Sequence, residues 1–146
     1  MSKKDVETKK TRIMVFGTFD GLHQGHINFF KQARSFMKNS FLIVSIARDK
    51  NVLRIKGRLP VLNEKKRMAL VRNYFLADKV VLAGVKNHIP HIVKECPHII
   101  ALGYDQKDYV QNLKKDLKNK GIIVKIVRLK PYKETIYKNH LLKIKK

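Results

Sequence analysis

Short apolar runs alternate along this chain with stretches whose apolar residues recur at helical spacing. Ile13–Phe16, Phe41–Ala47, Lys79–Leu82, His98–Leu102 and Ile122–Val127 are nearly continuous and rich in β-branched residues. That is the pattern of strands covered on both faces, as in a parallel sheet. Between them lie Ile27–Met37, Glu64–Leu76, Ile89–Glu95 and Tyr109–Lys118, whose apolar positions fall three and four apart, the mark of helices with one buried face. Asn63 is placed to cap the helix opening at Glu64, and Gly121 to end the helix before the last strand. Strict alternation of strand and helix predicts an α/β fold: a five-stranded parallel sheet joined by right-handed crossovers, with helices on both faces. Residues 1–11 read as a flexible basic tail and 12–146 as one domain, closed by a last helix over Ile136–Lys146.

Composition narrows the class. A chain of 146 residues is long enough for one well-buried core. No apolar run approaches the length of a membrane span, and the lysine-rich start lacks the apolar centre of a secretory signal. Cys96 is the single cysteine, which rules out an internal disulfide and suits a reducing cytoplasm; it is expected as a small buried or half-buried residue. The net charge is +22. Because the lysines are spread over nearly every segment, they read as solvated faces with non-specific nucleic-acid affinity, not as a reading surface.

The chemistry concentrates in Gly17-Thr18-Phe19-Asp20-Gly21-Leu22-His23-Gln24-Gly25-His26, between the first strand and first helix. Such turns gather backbone N–H groups and the positive end of a helix, and bind phosphate. His23 and His26 stand one helical turn apart, so both rings can address one anion. Gly25 permits close approach of backbone to a phosphate. Asp20 can orient the turn or a metal.

This run resembles the GTFDxxHxGH signature of the cytidylyltransferase-like nucleotidyltransferases, a Rossmann-related superfamily. The similarity continues through Ala47-Arg48-Asp49, Lys56-Gly57-Arg58-Leu59-Pro60, Asn63-Glu64-Lys65-Lys66-Arg67, Ala77-Asp78-Lys79-Val80, Leu102-Gly103-Tyr104-Asp105-Gln106 and Arg128-Leu129-Lys130-Pro131-Tyr132-Lys133. As a set these segments are most similar to the archaeal-type FAD synthases, which are FMN adenylyltransferases. The resemblance implies a single Rossmann-like domain, ATP and FMN as substrates, Mg2+ carried with the triphosphate, release of pyrophosphate, and a homodimer. It implies that His23, His26, Lys56 and Arg67 are catalytic, the histidines as donors to the α-phosphate and the two cations as neutralisers of phosphate charge. Thr18, Phe19, His23, Gln24, Gly25 and His26 would line the nucleotide, with Asp105 and Tyr132 holding its base or ribose.

Two alternatives stand beside this one. A cytidylyltransferase using CTP with glycerol 3-phosphate or a related phospho-alcohol shares the signature, but this chain lacks its Arg-Thr-x-Gly-Ile-Ser-Thr-Thr-like end. A catalytically idle nucleotide- or RNA-binding domain is suggested by the charge and by Thr135-Ile136-Tyr137-Lys138-Asn139-His140, where relatives carry a pair of hydroxyls. The intact histidine pair counts against it. His88, His91 and His98 have no regular ligand spacing and are expected at solvated loop and helix-start positions, not at a metal site.

Overall fold

The computed structural model describes residues 10–104, 106 and 110–131. Five strands form one parallel sheet: β1 (Thr11–Gly17), β2 (Ser40–Ile46), β3 (Lys79–Leu82), β4 (Ile99–Leu102) and β5 (Lys125–Arg128). Their order is β3-β2-β1-β4-β5, so the chain winds outward from β1 in one direction and then in the other. Five helices connect them: α1 (Gln24–Ser35), α2 (Asp49–Lys56), α3 (Glu64–Asn73), α4 (His88–Glu95) and α5 (Val110–Asn119).

Alternation along the strands splits the core in two. Ile13 and Val15 of β1, with Leu42, Val44 and Ile46 of β2, face Phe30 and Ala33 of α1 and Val71 of α3. Met14, Ile43 and Ile100 face the other way, onto Ile89 and Ile92 of α4 and Leu113 and Leu117 of α5. Helices therefore cover both faces, as the continuous apolar strands predict. Asn63 caps α3 as expected, its side chain accepting from the Lys66 N–H at 2.9 Å. No helix among the described residues is long and apolar enough to cross a membrane.

A helix that the apolar pattern does not mark follows β2: Asp49–Lys56, ended by Gly57 in the left-handed region with φ 76°. Two expectations are corrected. Strand β5 begins three residues later than the apolar run, because Lys125 is the first residue to pair with β4. Ile122–Val124 instead carries the chain out of the glycine-ended helix, with the Ile122 N–H bonded to the Leu117 carbonyl at 2.9 Å. Cys96 is exposed, in the left-handed position that ends α4. The last helix expected over 136–146 lies outside the described residues.

One glycine is required by packing at the site. A Cβ on Gly17 would come within 2.5 Å of the Phe19 ring, which is itself 4% exposed. Gly17→Ala is expected to cost about 1–3 kcal/mol through overpacking, read as a lower urea midpoint with unchanged slope. An unshifted midpoint would show that the Phe19 ring yields freely.

Candidate active site

A cleft of about 950 Å3 opens at the carboxyl ends of the strands, where open α/β sheets bind ligands. It is lined from Gly17 at the end of β1, Ala47 after β2, Ala83 after β3, Gly103 after β4 and Leu129 after β5. The first turn sits at its centre, because β1 is the middle strand and the winding reverses there.

His23 and His26 start α1 in an unusual way. His23 takes the N-cap position normally held by Ser, Thr, Asp or Asn, and its Nδ1 accepts the Gly25 N–H at 3.0 Å. The His26 Nδ1 accepts the His23 N–H at 3.3 Å. This is a capping box built from two imidazoles, whose rings stack with centroids 3.8 Å apart. A nitrogen that accepts a backbone N–H has no proton of its own, so in each of these rings Nε2 is the N–H. Burial, and then the neighbouring His23, pull the His26 pKa down to about 4. His26 is therefore a neutral donor at pH 7, and both rings line the cleft at the positive end of α1.

The turn before them is held rigidly. Phe19 has a positive φ of 53°, which costs a non-glycine residue about 1–2 kcal/mol. Its ring packs edge-on to His26 at 5.3 Å and against Phe30 at 5.2 Å. Phe19 is thus a core aromatic that supports the His26 ring from behind. Asp20 accepts the Val61 and Leu62 N–H groups at 2.7 Å each, and those bonds hold its carboxyl below the usual range. Each oxygen accepts one backbone N–H, which gives Asp20 a role in holding the turn.

Arg67 does not lie where a phosphate ligand must. Its side chain is fully buried, at 0% exposure. Nε donates to the Leu62 carbonyl at 3.0 Å, one terminal nitrogen to the Thr18 carbonyl at 2.8 Å, and the other to Asp49 Oδ1 at 2.7 Å. The guanidinium ties the first turn to the starts of α2 and α3. Asp49 and Glu64 complete this knot by accepting each other's backbone N–H, at 2.9 and 3.1 Å.

Of the remaining expected residues, Lys56 ends α2 and lines the cleft with Arg54 and Arg58. None of the three forms an ion pair with a described carboxylate. Gln24 is exposed on the first turn of α1 and stands outside the cleft lining. Asp105 and Tyr132 lie outside the described residues. His91 is not solvated: its Nε2 meets Ser45 Oγ at 2.8 Å against the sheet. Among the described residues, no group of three or more His, Cys, Asp or Glu could hold a metal ion.

The clamps around the cleft escaped the sequence reading. Gln106 donates to the Phe16 carbonyl at 2.9 Å and accepts from the Gly103 N–H at 2.8 Å. Arg128 donates to the Gly103 and Gln106 carbonyls at 2.6 and 2.7 Å. Gln32 takes both backbone groups of Lys130, at 2.8 and 2.9 Å. Each is a polar side chain spent on holding backbone, a use that no spacing rule marks.

Arg67→Met is expected to destabilise the protein by about 3 kcal/mol, because it strands a carboxylate and two carbonyls. Arg67→Lys should not restore stability, since one ammonium does not span three acceptors. Equal denaturant midpoints for wild type and Arg67→Met would remove the guanidinium from this structural role. The histidines set the acid limb. Burial is the first cause of the lowered pKa of His26, His88 and His91. Unfolded imidazoles bind protons near pH 6.5, so the unfolded state holds more protons and stability falls as pH drops from about 6.5 toward 4. Asp20 adds its loss only below its ordinary value of 3.8. Urea titrations at several pH values should show this slope, reduced in His26→Gln; identical slopes would contradict it.

Comparison with known proteins agrees with this geometry. The family model described as cytidylyltransferase-like matches residues 14–141. An FAD synthase of Korarchaeum cryptofilum is 43% identical over 119 residues, covering 81% of this chain and 80% of that protein. One from Thermococcus sibiricus is 40% identical, covering 100% of this chain and 93% of its own length. A crystal structure from Thermoplasma volcanium, described as a lipopolysaccharide core biosynthesis protein, superposes with a TM-score of 0.77 at 35% identity. It covers 85% of this chain and 99% of its own. A family-model match over residues 14–141 and similarity running end to end, on a cleft centred on the first turn, place this chain in the cytidylyltransferase-like family of nucleotidyltransferases.

Proposed function

We propose that the chain is an FMN adenylyltransferase, which joins AMP from ATP to FMN and releases pyrophosphate. The observation that carries the reaction type is the histidine pair. Both Nδ1 atoms are occupied by backbone N–H groups, so the pair offers protons and takes none. A hydroxyl acceptor needs a base to remove its proton. A phosphate monoester does not, because its second pKa is about 6 and it is largely a dianion at neutral pH. Donors without a base thus suit an acceptor that attacks through phosphate.

The step balances without a proton. An oxygen of the FMN phosphate bonds to the α-phosphorus of ATP, and the bond from that phosphorus to the bridging oxygen of the β-phosphate breaks. Its electron pair leaves with pyrophosphate. Nε2–H of His26 and of His23 would meet the α-phosphate oxygens as charge spreads over them, donors already in place before the reaction. Lys56 would offset the repulsion between two anions brought together. Arg67 acts through the turn it holds, as a positioning residue. Thr18, Phe19 and Gly25 present backbone beside the nucleotide, and Asp105 and Tyr132 are proposed to hold its base or ribose.

Magnesium would enter with ATP, bound by the phosphates and supplying charge neutralisation to the leaving group. Asp20 is the only carboxylate among the described cleft-lining residues, and one carboxylate does not make a protein cage, so none is assigned. The names of the relatives supply the substrates. Large apolar side chains beside the cleft also favour a flavin over glycerol 3-phosphate: Ile55 and Leu59 are exposed, and Val61 is 92% exposed. A homodimer and salt-sensitive, non-specific nucleic-acid binding belong to the same proposal and rest on the resemblance and the net charge.

Purified protein incubated with each pairing of ATP or CTP with FMN or glycerol 3-phosphate should yield FAD and pyrophosphate from ATP with FMN. His26→Ala should lower kcat by about a hundredfold or more. A CDP-glycerol product, no pyrophosphate from any pair, or full activity in His26→Ala would each overturn part of this reading.

A further inference from the structure

The cleft has two halves of different character on either side of the first turn. On the β4–β5 side, Gln106 and Arg128 direct their groups to the backbone of Phe16, Gly103 and Gln106 itself. On the β2–β3 side three side chains keep polar groups unspent. Asn51 is 8% exposed, and only its Nδ2 is engaged, with the Gly84 carbonyl at 2.9 Å. That bond orients the amide and leaves Oδ1 as an acceptor with no partner among the described residues. His88 makes no hydrogen bond to any described residue, and Arg54 has no described carboxylate partner, yet all three line the cleft. No fully buried side-chain nitrogen or oxygen lacks a partner among the described residues, so these unspent groups are open to the cleft.

The placement of His88 is built. On the α4-facing side of the sheet, Ser45 interrupts an apolar strand and meets His91 Nε2 at 2.8 Å. His88 lies one turn earlier on α4, on the same helix face as His91. The anchored turn sets the His88 ring edge-on to Phe16 of β1, with centroids 6.1 Å apart. Burial, and then the charge of Arg54, lower the His88 pKa. The ring is thus kept uncharged at neutral pH and can donate from one nitrogen and accept at the other. Opposite it, α2 presents Asn51, Arg54 and Ile55 at spacings of three and four, one stripe along the helix, with Arg58 lining the cleft just past the helix end. The stripe runs from a buried amide to exposed apolar and cationic side chains.

We infer that this β2–β3 half is the acceptor subsite, and that it takes a flat heteroaromatic ring with a polar edge, the isoalloxazine of FMN, between Phe16 with His88 and the α2 stripe. Asn51 and His88 meet the ring's N–H and carbonyl edge, and Arg54 donates to its carbonyl oxygens. Lys56, at the end of α2 nearest the Asp20 turn, is left for the acceptor's phosphate. The subsite deepens the FMN adenylyltransferase reading and rests on it for the identity of the ring.

Flavin fluorescence quenching separates ring from phosphate, because riboflavin carries the ring alone. Full-length wild type, His88→Ala, Arg54→Ala and Lys56→Ala are titrated with FMN and with riboflavin, with and without a non-hydrolysable ATP analogue. His88→Ala and Arg54→Ala should each weaken both flavins by about tenfold, leaving affinity for the ATP analogue within about twofold. Lys56→Ala should weaken FMN and leave riboflavin unchanged. Unchanged riboflavin binding in both His88→Ala and Arg54→Ala, loss of the ATP analogue in place of flavin, or no flavin binding by wild type overturns the subsite. Arg54 is exposed, so its variant reports even where His88→Ala is destabilised. FAD formation by wild type is measured separately. Flavin binding lost in the variants, with no FAD made by wild type, would retain the subsite and reject the activity.

Discussion

One guanidinium holds the catalytic end of this fold together. In a chain of net charge +22, nearly every cation can stay in water, and Arg67 does not. Removing an arginine from solvent is costly unless each donor finds a partner, and here the partners are the Thr18 and Leu62 carbonyls and Asp49. Those three groups belong to the turn after β1, the loop before α3 and the start of α2. Asp20 returns the link by accepting from Val61 and Leu62. Segments more than forty residues apart in sequence thereby become one rigid rim. The rim is what can hold Phe19 at a positive φ, which would not persist in an unsupported turn.

From that rim the histidine geometry follows. Phe19 backs the His26 ring, and the two imidazoles cap α1 through their Nδ1 atoms. The groups that start the helix are therefore the groups proposed to meet the phosphate. Donors fixed in advance need no reorganisation when charge develops on a phosphate. The cations that complete the electrostatics, Arg54, Lys56 and Arg58, sit on the α2 side, and Asp20 is the sole carboxylate among the described cleft-lining residues. Such a lining suits the two anions of the proposed reaction.

The layered sheet was legible in the sequence because buried parallel strands need unbroken apolar runs. Helices α1, α3, α4 and α5 were legible because each buries a periodic stripe. Helix α2 was not: of its apolar residues only Val52 is buried, while Leu53 and Ile55 are exposed, so no apolar stripe marks its buried face. The start of β5 was obscured because Ile122 and Val124 are apolar for packing, before any pairing begins. At the site, the turn and both histidines could be read from the signature. Arg67 was read as a phosphate ligand because an arginine at a helix head looks the same in sequence whether it faces water or three buried acceptors. His23 as a helix cap was hidden by its residue type, and Gln32, Gln106 and Arg128 by acting on backbone far away in sequence.

The most direct test of this account is the tautomer of the two rings, read by imidazole 15N chemical shifts and two-bond couplings in the free protein at pH 7. His23 and His26 should both show an unprotonated Nδ1 and a proton on Nε2, and His26 should keep that form until the pH falls toward 4. An Nδ1–H tautomer in either ring, or a charged His26 at pH 7, would contradict it.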